Sequence, residues 1–306
     1  MRTKDELAAL AAEWTVTPAE REAFEETLSD PTLYDSHSHI FPVDPNWGPG
    51  QTDLDELVAQ LDVHGVDRAV ILAEEQTEKG FKVPSWWILE QAERYPERLI
   101  PFCAIEPRMG PGPETMADFV DTYTAGGARG FGELKVELPV DHERMQAVYE
   151  ICEERGLPLV MHISERHAAD EPGLPGLERM LQKYADLDFV MHAHGWWAHI
   201  SADATREDME WYADGPVEPG GRCDELLAEY DNCYADFSPS GFNAFVRDLD
   251  YAQTFLERHH ESLLFGTDAS YLPDDTIPHF GLFQRFDLPA EAWEDIRFRN
   301  LERVLA

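Results

Sequence analysis

Two histidines one residue apart, His37 and His39, close the β-rich run Tyr34-Asp35-Ser36-His37-Ser38-His39. Side chains two apart on a strand share a face, so both imidazoles can grip one cation at about 2.0 to 2.1 Å per nitrogen. A solitary strand histidine is usually a hydrogen-bonded core residue; a His-x-His pair at a strand end points to a metal. The same test picks out three further runs, Leu159-Val160-Met161-His162, Met191-His192-Ala193-His194-Gly195 and Leu264-Phe265-Gly266-Thr267-Asp268. Each carries an imidazole or a carboxylate at or next to its end.

The elements that must position these groups follow a steady rhythm. Eight β-rich runs are expected at 33–39, 68–73, 99–105, 128–135, 157–163, 187–194, 232–238 and 263–268. Helical spacing separates them at 54–64, 84–95, 114–124, 143–155, 174–184, 223–230, 244–260 and 290–305. Crossovers of that length require parallel pairing and strands buried on both faces. The expected fold is therefore α/β, a closed (β/α)8 or TIM barrel, whose active sites gather at the carboxyl ends of the strands. An open doubly wound sheet would need a glycine-rich phosphate loop after an early strand, and none is present. The chain reads as one domain, 1–306, with a helical extension over 1–30 and the barrel over 31–306. A long insertion after the sixth strand, 195–222, is placed to cover the barrel mouth.

The charge balance excludes several functions. The 306 residues carry 24 Lys plus Arg against 61 Asp plus Glu, a formal charge of −37. With no basic stripe, neither nucleic acid nor an anionic membrane is an expected partner. Lys stands only at positions 4, 79, 82, 135 and 183, and the acidity is spread along the whole chain, as in haloarchaeal cytoplasmic proteins. A salt-requiring fold is predicted, since molar salt shortens the screening length to roughly 3 Å; full stability with little added salt would refute this. No run reaches the length of about 18 apolar residues that a membrane span needs, and no secretory leader is visible, so a soluble cytoplasmic protein is expected. Cys103, Cys152, Cys223 and Cys233 form no CxxC pair and are expected to pack in the core.

From about Leu33 to Leu305 the sequence resembles the amidohydrolase superfamily, in its amidohydrolase-related branch, which mixes hydrolases with decarboxylases and hydratases. The resemblance is carried by Asp35-Ser36-His37-Ser38-His39, Gly156-Leu157-Pro158-Leu159-Val160-Met161-His162, Ala193-His194-Gly195, Asn232-Cys233-Tyr234-Ala235-Asp236-Phe237-Ser238, Leu264-Phe265-Gly266-Thr267-Asp268 and Ile296-Arg297-Phe298-Arg299-Asn300-Leu301. It implies that His37, His39, His162 and Asp268 hold a divalent ion that activates a water, with Asp268 also taking a proton. The strand-six histidine would polarise the substrate or shuttle a proton. His194 is favoured for that role because it directly precedes Gly195, leaving His192 as a supporting or substrate-side residue. Some relatives place a glutamate or a carboxylated lysine at the fourth strand end to bridge two metals. Glu133 and Lys135 could do so, or form an internal ion pair or contact substrate.

One ion is expected, with a second admitted; zinc is the default, and manganese, iron or cobalt are alternatives. Arg166 could hold a substrate carboxylate, and His167, Trp196 and Tyr271 could line the pocket. The leading expectation is a metal-dependent hydrolase acting on a carbonyl, ester, lactone or amide. The alternatives are a metal-dependent decarboxylase or hydratase for an aromatic or unsaturated acid, and a non-catalytic binding barrel. The expected partner is a small-molecule substrate, with self-association into a homo-oligomer left open.

Overall fold

The computed structural model describes residues 1–42, 52–78, 83–108, 112–268 and 277–306. Two helices lead the chain, α1 (Lys4–Glu13) and α2 (Pro18–Glu25). Each starts at a threonine whose hydroxyl accepts from a backbone N–H three residues on, while a glutamate there accepts from the threonine backbone: Thr3 with Glu6, Thr17 with Glu20. These reciprocal caps satisfy N–H groups that a helix start otherwise leaves open.

Eight strands then alternate with helices. In chain order they are β1 (Tyr34–Ser38), α3 (Leu54–Val63), β2 (Arg68–Leu72), α4 (Ser85–Ala92), β3 (Leu99–Cys103), α5 (Pro113–Ala125), β4 (Gly130–Leu134), α6 (Glu143–Arg155), β5 (Leu159–His162), α7 (Pro175–Lys183), β6 (Phe189–His192), α8 (His194–Ala198), α9 (Arg222–Glu229), β7 (Cys233–Asp236), α10 (Pro239–Val246), α11 (Leu249–His259) and β8 (Leu263–Leu264). Every neighbouring pair from β1 to β8 is parallel. The sheet curls back on itself, because the backbone N–H of Ser36 donates to the Phe265 carbonyl at 2.8 Å and that of Asp268 to the His37 carbonyl at 2.8 Å. The fold is a (β/α)8 barrel.

Two departures from the expected helices have local causes. The segment expected as one helix over 244–260 is two, because Asp248 leaves helical geometry and caps α11 by accepting from the Tyr251 N–H. The closing helix is continuous but changes pitch, with a π-helical stretch at Asp295–Arg299 between α13 (Ala290–Glu294) and α14 (Asn300–Val304); the short α12 (His279–Phe283) precedes it.

Period-2 alternation divides the core. Val70, Leu72, Ile100, Phe102, Val160, Val190, Tyr234 and Leu264 fill the barrel, closed at its amino-terminal end by Leu301 and Val304 of α14. Ala69, Ile71, Phe131, Leu159, Met161, Phe189, Met191 and Ala235 face the helices instead. Gly130 is required by this packing: a Cβ there would lie 2.3 Å from the Phe102 ring. The four cysteines are buried free thiols. No helix among the described residues is long and apolar enough to cross a membrane.

Candidate metal centre

The carboxyl ends of the strands bring seven titratable side chains together inside the barrel: His37 and His39 from β1 and the residue after it, Glu133 from β4, His162 from β5, His192 from β6, Asp236 from β7 and Asp268 beyond β8. Six of them are buried, from fully buried His37 and Asp236 to His162 at 6 % exposure. The Nε2 atoms of His37 and His39 lie 3.2 Å apart. Two imidazole ligands on one tetrahedral ion at about 2.05 Å each stand roughly 3.3 Å from one another, so this spacing suits a shared cation.

Glu133 occupies the middle of the cluster. Its Oε1 lies 2.6 Å from His162 Nδ1 and 3.7 Å from His192 Nε2, while its Oε2 lies 3.7 Å from His39 Nε2. Asp268 reaches in from the other side, 3.7 Å from His39 Nε2 and 3.9 Å from His192 Nε2. The donors therefore form two sets that meet at Glu133, one with His37 and His39, the other with His162 and His192. Glu133 Oε2 and Asp268 Oδ1 are buried and accept no hydrogen bond among the described residues. Two buried anionic oxygens without donors, both facing His39 Nε2, are the environment that a divalent cation satisfies. The residues present fit such an ion.

A bulge puts Glu133 there. Between β4 and β5, Phe131 pairs with Leu159 and Leu134 with Met161, so β4 carries one extra residue over that interval. Without it Glu133 would share the helix-facing side with Phe131; with it, Leu134 faces the helices and Glu133 turns inward.

Asp236 ties the two sets together. Its Oδ2 accepts from His37 Nδ1 at 2.8 Å and its Oδ1 lies 3.0 Å from His192 Nδ1, with the Ser238 hydroxyl also 2.7 Å from the latter. Holding the proton on each Nδ1 leaves each Nε2 with its lone pair turned toward the cluster centre. No sequence argument singled out Asp236, although the strand-end test applied to Tyr234-Ala235-Asp236 would have found it.

Electrostatics follow from burial and crowding. Burial works against a charged His37, yet Asp236, and beyond it Asp268 and Glu133, hold its pKa up at about 9. His162 is driven down by burial and by Lys135. Burial raises Asp268, whereas Glu133 is held well below its ordinary value, its burial outweighed by Lys135, His162 and His192. Asp35 braces the rim: it accepts from the Thr267 N–H at 3.0 Å, the Thr267 hydroxyl at 2.6 Å and the His37 N–H at 3.0 Å, joining the ends of β1 and β8.

Several expected roles shift. His162 falls in a donor group with Glu133 and His192, while His37 and His39 share another group with Glu133. His192, at the end of β6, is the strand-six histidine in the cluster; its ring stacks on His37 with centroids 4.0 Å apart. Regular alternation would put His192 and His194 on one face, but Ala193 takes a positive φ of 78° and ends the strand. His194 opens α8 and lines the cavity above, beside Trp211 and Tyr212. Burial first, then Lys135 and His192, push it down to about 3, so it stays neutral.

Lys135 Nζ lies 3.7 Å from Glu133 Oε1, forming the internal ion pair, and also lines the cavity. His167 lines it too, its Nδ1 3.0 Å from the Ser164 hydroxyl. Arg166 sits on the rim with its side chain 68 % exposed and ion-paired to Glu137. Trp196 is a correction: it is fully buried, packs edge-on against Trp197 and is absent from the cavity wall, where Trp211 takes the place expected of it. Tyr271 lies outside the described residues.

No curated protein sequence matches the chain. Among solved structures, an uncharacterised TIM-barrel protein from Bordetella bronchiseptica is similar at 17% identity and a TM-score of 0.60, covering 94% of this chain and 90% of that one. A protein from Acinetobacter baumannii, described as a probable 2-pyrone-4,6-dicarboxylic acid hydrolase with citric acid bound, is similar at 13% identity and a TM-score of 0.58, covering 90% of this chain and 99% of that one. A dihydroxybenzoic acid decarboxylase from Polaromonas sp. JS666, with bound manganese and the inhibitor 2-nitroresorcinol, gives 15% identity and a TM-score of 0.56, covering 90% and 96%. At these identities the likeness establishes the fold, on which many chemistries are built. The model of one family, described as amidohydrolase, matches residues 34–305, from the first strand through the closing helix; the chain belongs to the amidohydrolase family.

Proposed function

We propose that the protein is a metal-dependent hydrolase that directs an activated water at the carbon of a carbonyl, ester, lactone or amide, using two divalent ions held on either side of Glu133. The observation that carries this reading is the position of that carboxylate, with one oxygen toward His162 and His192 and the other toward His39. His37, His39 and Asp268 with Glu133 Oε2 would hold one ion; His162 and His192 with Glu133 Oε1 would hold the other. When bound, such ions lower the pKa of a water and polarise a substrate oxygen. Zinc is the default, and manganese suits the same donors.

The chain supplies the rest. Asp268, whose affinity for a proton is raised by burial, accepts one from the attacking water. Asp268 then passes that proton to the leaving group, while His194 and His167, which face the cavity, orient the substrate through N–H hydrogen bonds. Lys135 holds its positive charge beside the cluster, where negative charge develops.

Lys135 also supports a second reading, decarboxylation of an aromatic or unsaturated acid. There the ammonium group, rather than the rim-exposed Arg166, would hold the substrate carboxylate.

Elemental analysis of the purified protein is expected to return two ions per chain, falling to one or fewer in Glu133→Gln with a loss of turnover of about a thousandfold or more. A single ion in the unaltered protein would reduce the proposal to a one-ion site. Release of carbon dioxide from an aromatic acid, with no turnover of lactones, esters or amides, would select the decarboxylase. A chain that binds no ion and gains no activity with zinc or manganese would be a binding barrel.

A further inference from the structure

Helix α1 precedes the stretch matched by the family, residues 34–305, yet it reaches the reacting end of the barrel. Leu7, Ala8, Ala11 and Ala12 line the same cavity of about 1130 Å³ as His162, His192 and Asp268. Their spacing places all four on one helix face. The helix is held near both ends. The backbone N–H of Arg2 donates to the Tyr212 carbonyl at 3.0 Å, linking its start to the segment that follows α8. Beyond its other end, Trp14 sits so closely on α12 that a Cβ at Gly281 would lie 1.7 Å from the Trp14 carbonyl oxygen.

Three of the four lining residues are alanines, of which Ala8 and Ala12 are exposed. Small side chains on this face leave room that larger ones would fill. The same cavity is lined by Trp211, Tyr212 and Phe242, aromatic groups that suit the face of a flat apolar molecule. A one-ring acid would leave most of the space wet, since pockets of about 300 to 1,000 Å³ already hold drug-sized ligands.

We propose that α1 is a wall of the substrate site and sets its size limit. The substrate presents its reacting carbonyl or carboxylate group to the histidine and carboxylate cluster and extends an apolar body of more than one ring between α1 and Trp211. This rests on the cluster being the reacting centre, and the test separates the two claims.

The metal-loaded protein is titrated with acetohydroxamate, which reports on the cluster alone, and with biphenyl-4-hydroxamate, which has the same chelating head on a two-ring body. The larger probe is expected to bind at least a hundredfold more tightly. That advantage should fall at least tenfold in Ala8→Trp and in Ala11→Trp, and should persist in Ala9→Trp, which points away from the cavity. Ala8 is exposed, so its variant tests the wall even if Ala11→Trp fails to fold. An advantage unchanged in both cavity-side variants overturns the wall while leaving the metal site intact. Failure of acetohydroxamate to bind any metal-loaded form counts instead against the cluster as a metal site, and the wall is then decided by the biphenyl compound alone, whose unchanged affinity in both variants overturns it.

Discussion

The two ends of the barrel interior are made by one eight-stranded sheet and obey opposite rules. Toward the amino-terminal end the space is filled by Val70, Ile100, Val160, Val190 and Leu264, with Leu301 and Val304 of α14 beneath them. At the carboxyl ends of β1, β4, β5, β6 and β7 stand His37, Glu133, His162, His192 and Asp236, all buried. Burying an apolar side chain stabilises by about 1.5 to 3 kcal/mol, whereas a buried charge destabilises unless it is paired. The lower layers therefore supply stability, and the upper layer holds groups whose arrangement is justified by what they bind.

That division can be broken or sharpened by experiment. The largest expected effect is from below: Ile100→Ala should cost about 2 to 5 kcal/mol in urea unfolding and leave ion affinity, measured by calorimetric titration, unchanged. If affinity collapses with stability, the two layers are not separate. Next, Asp236→Asn should weaken ion binding by about 10- to 100-fold, because an amide can accept from one of the two imidazole N–H groups but not from both. An unchanged affinity would return Asp236 to an ordinary packing role.

A third expected effect concerns pH. His279 lies against the cavity, its Nε2–H donating to the Phe237 carbonyl at 3.3 Å, and burial pushes its pKa down to about 4. The unfolded chain, with an ordinary value near 6.5, then binds more protons than the folded one between about pH 6.5 and 4. Stability should fall as the pH drops through that window, by about 1.4 kcal/mol per unit from this group. His279→Gln should remove that part of the slope in pH-dependent thermal melts; an unaltered slope would place the titration elsewhere.

The sequence exposes these layers unequally. The eightfold rhythm is readable because a strand buried on both faces is a short apolar run, and the His37-x-His39 pair because its rings do meet, Nε2 to Nε2 at 3.2 Å, even though the β1 register shifts between Asp35 and Ser38. What escapes is whatever breaks the period. The extra residue in β4 turns Glu133 inward, and nothing in Gly130-Phe131-Gly132-Glu133-Leu134-Lys135 announces which residue is surplus. The positive φ of Ala193 is equally silent, so regular alternation kept His194 level with His192 when the strand ends between them. Trp196 was expected at the mouth because it lies in a loop, but the short helix α8 turns it into the core.

The join between β1 and β8 also sets a timetable. It depends on Asp35 grasping Thr267 across 232 positions of chain, and Asp268, one residue on, completes the ring of donors. A polypeptide still emerging from its ribosome, or one clipped before Asp268, offers the early histidines without their final carboxylate partner. The complete ring of donors is thereby deferred until the circle has shut.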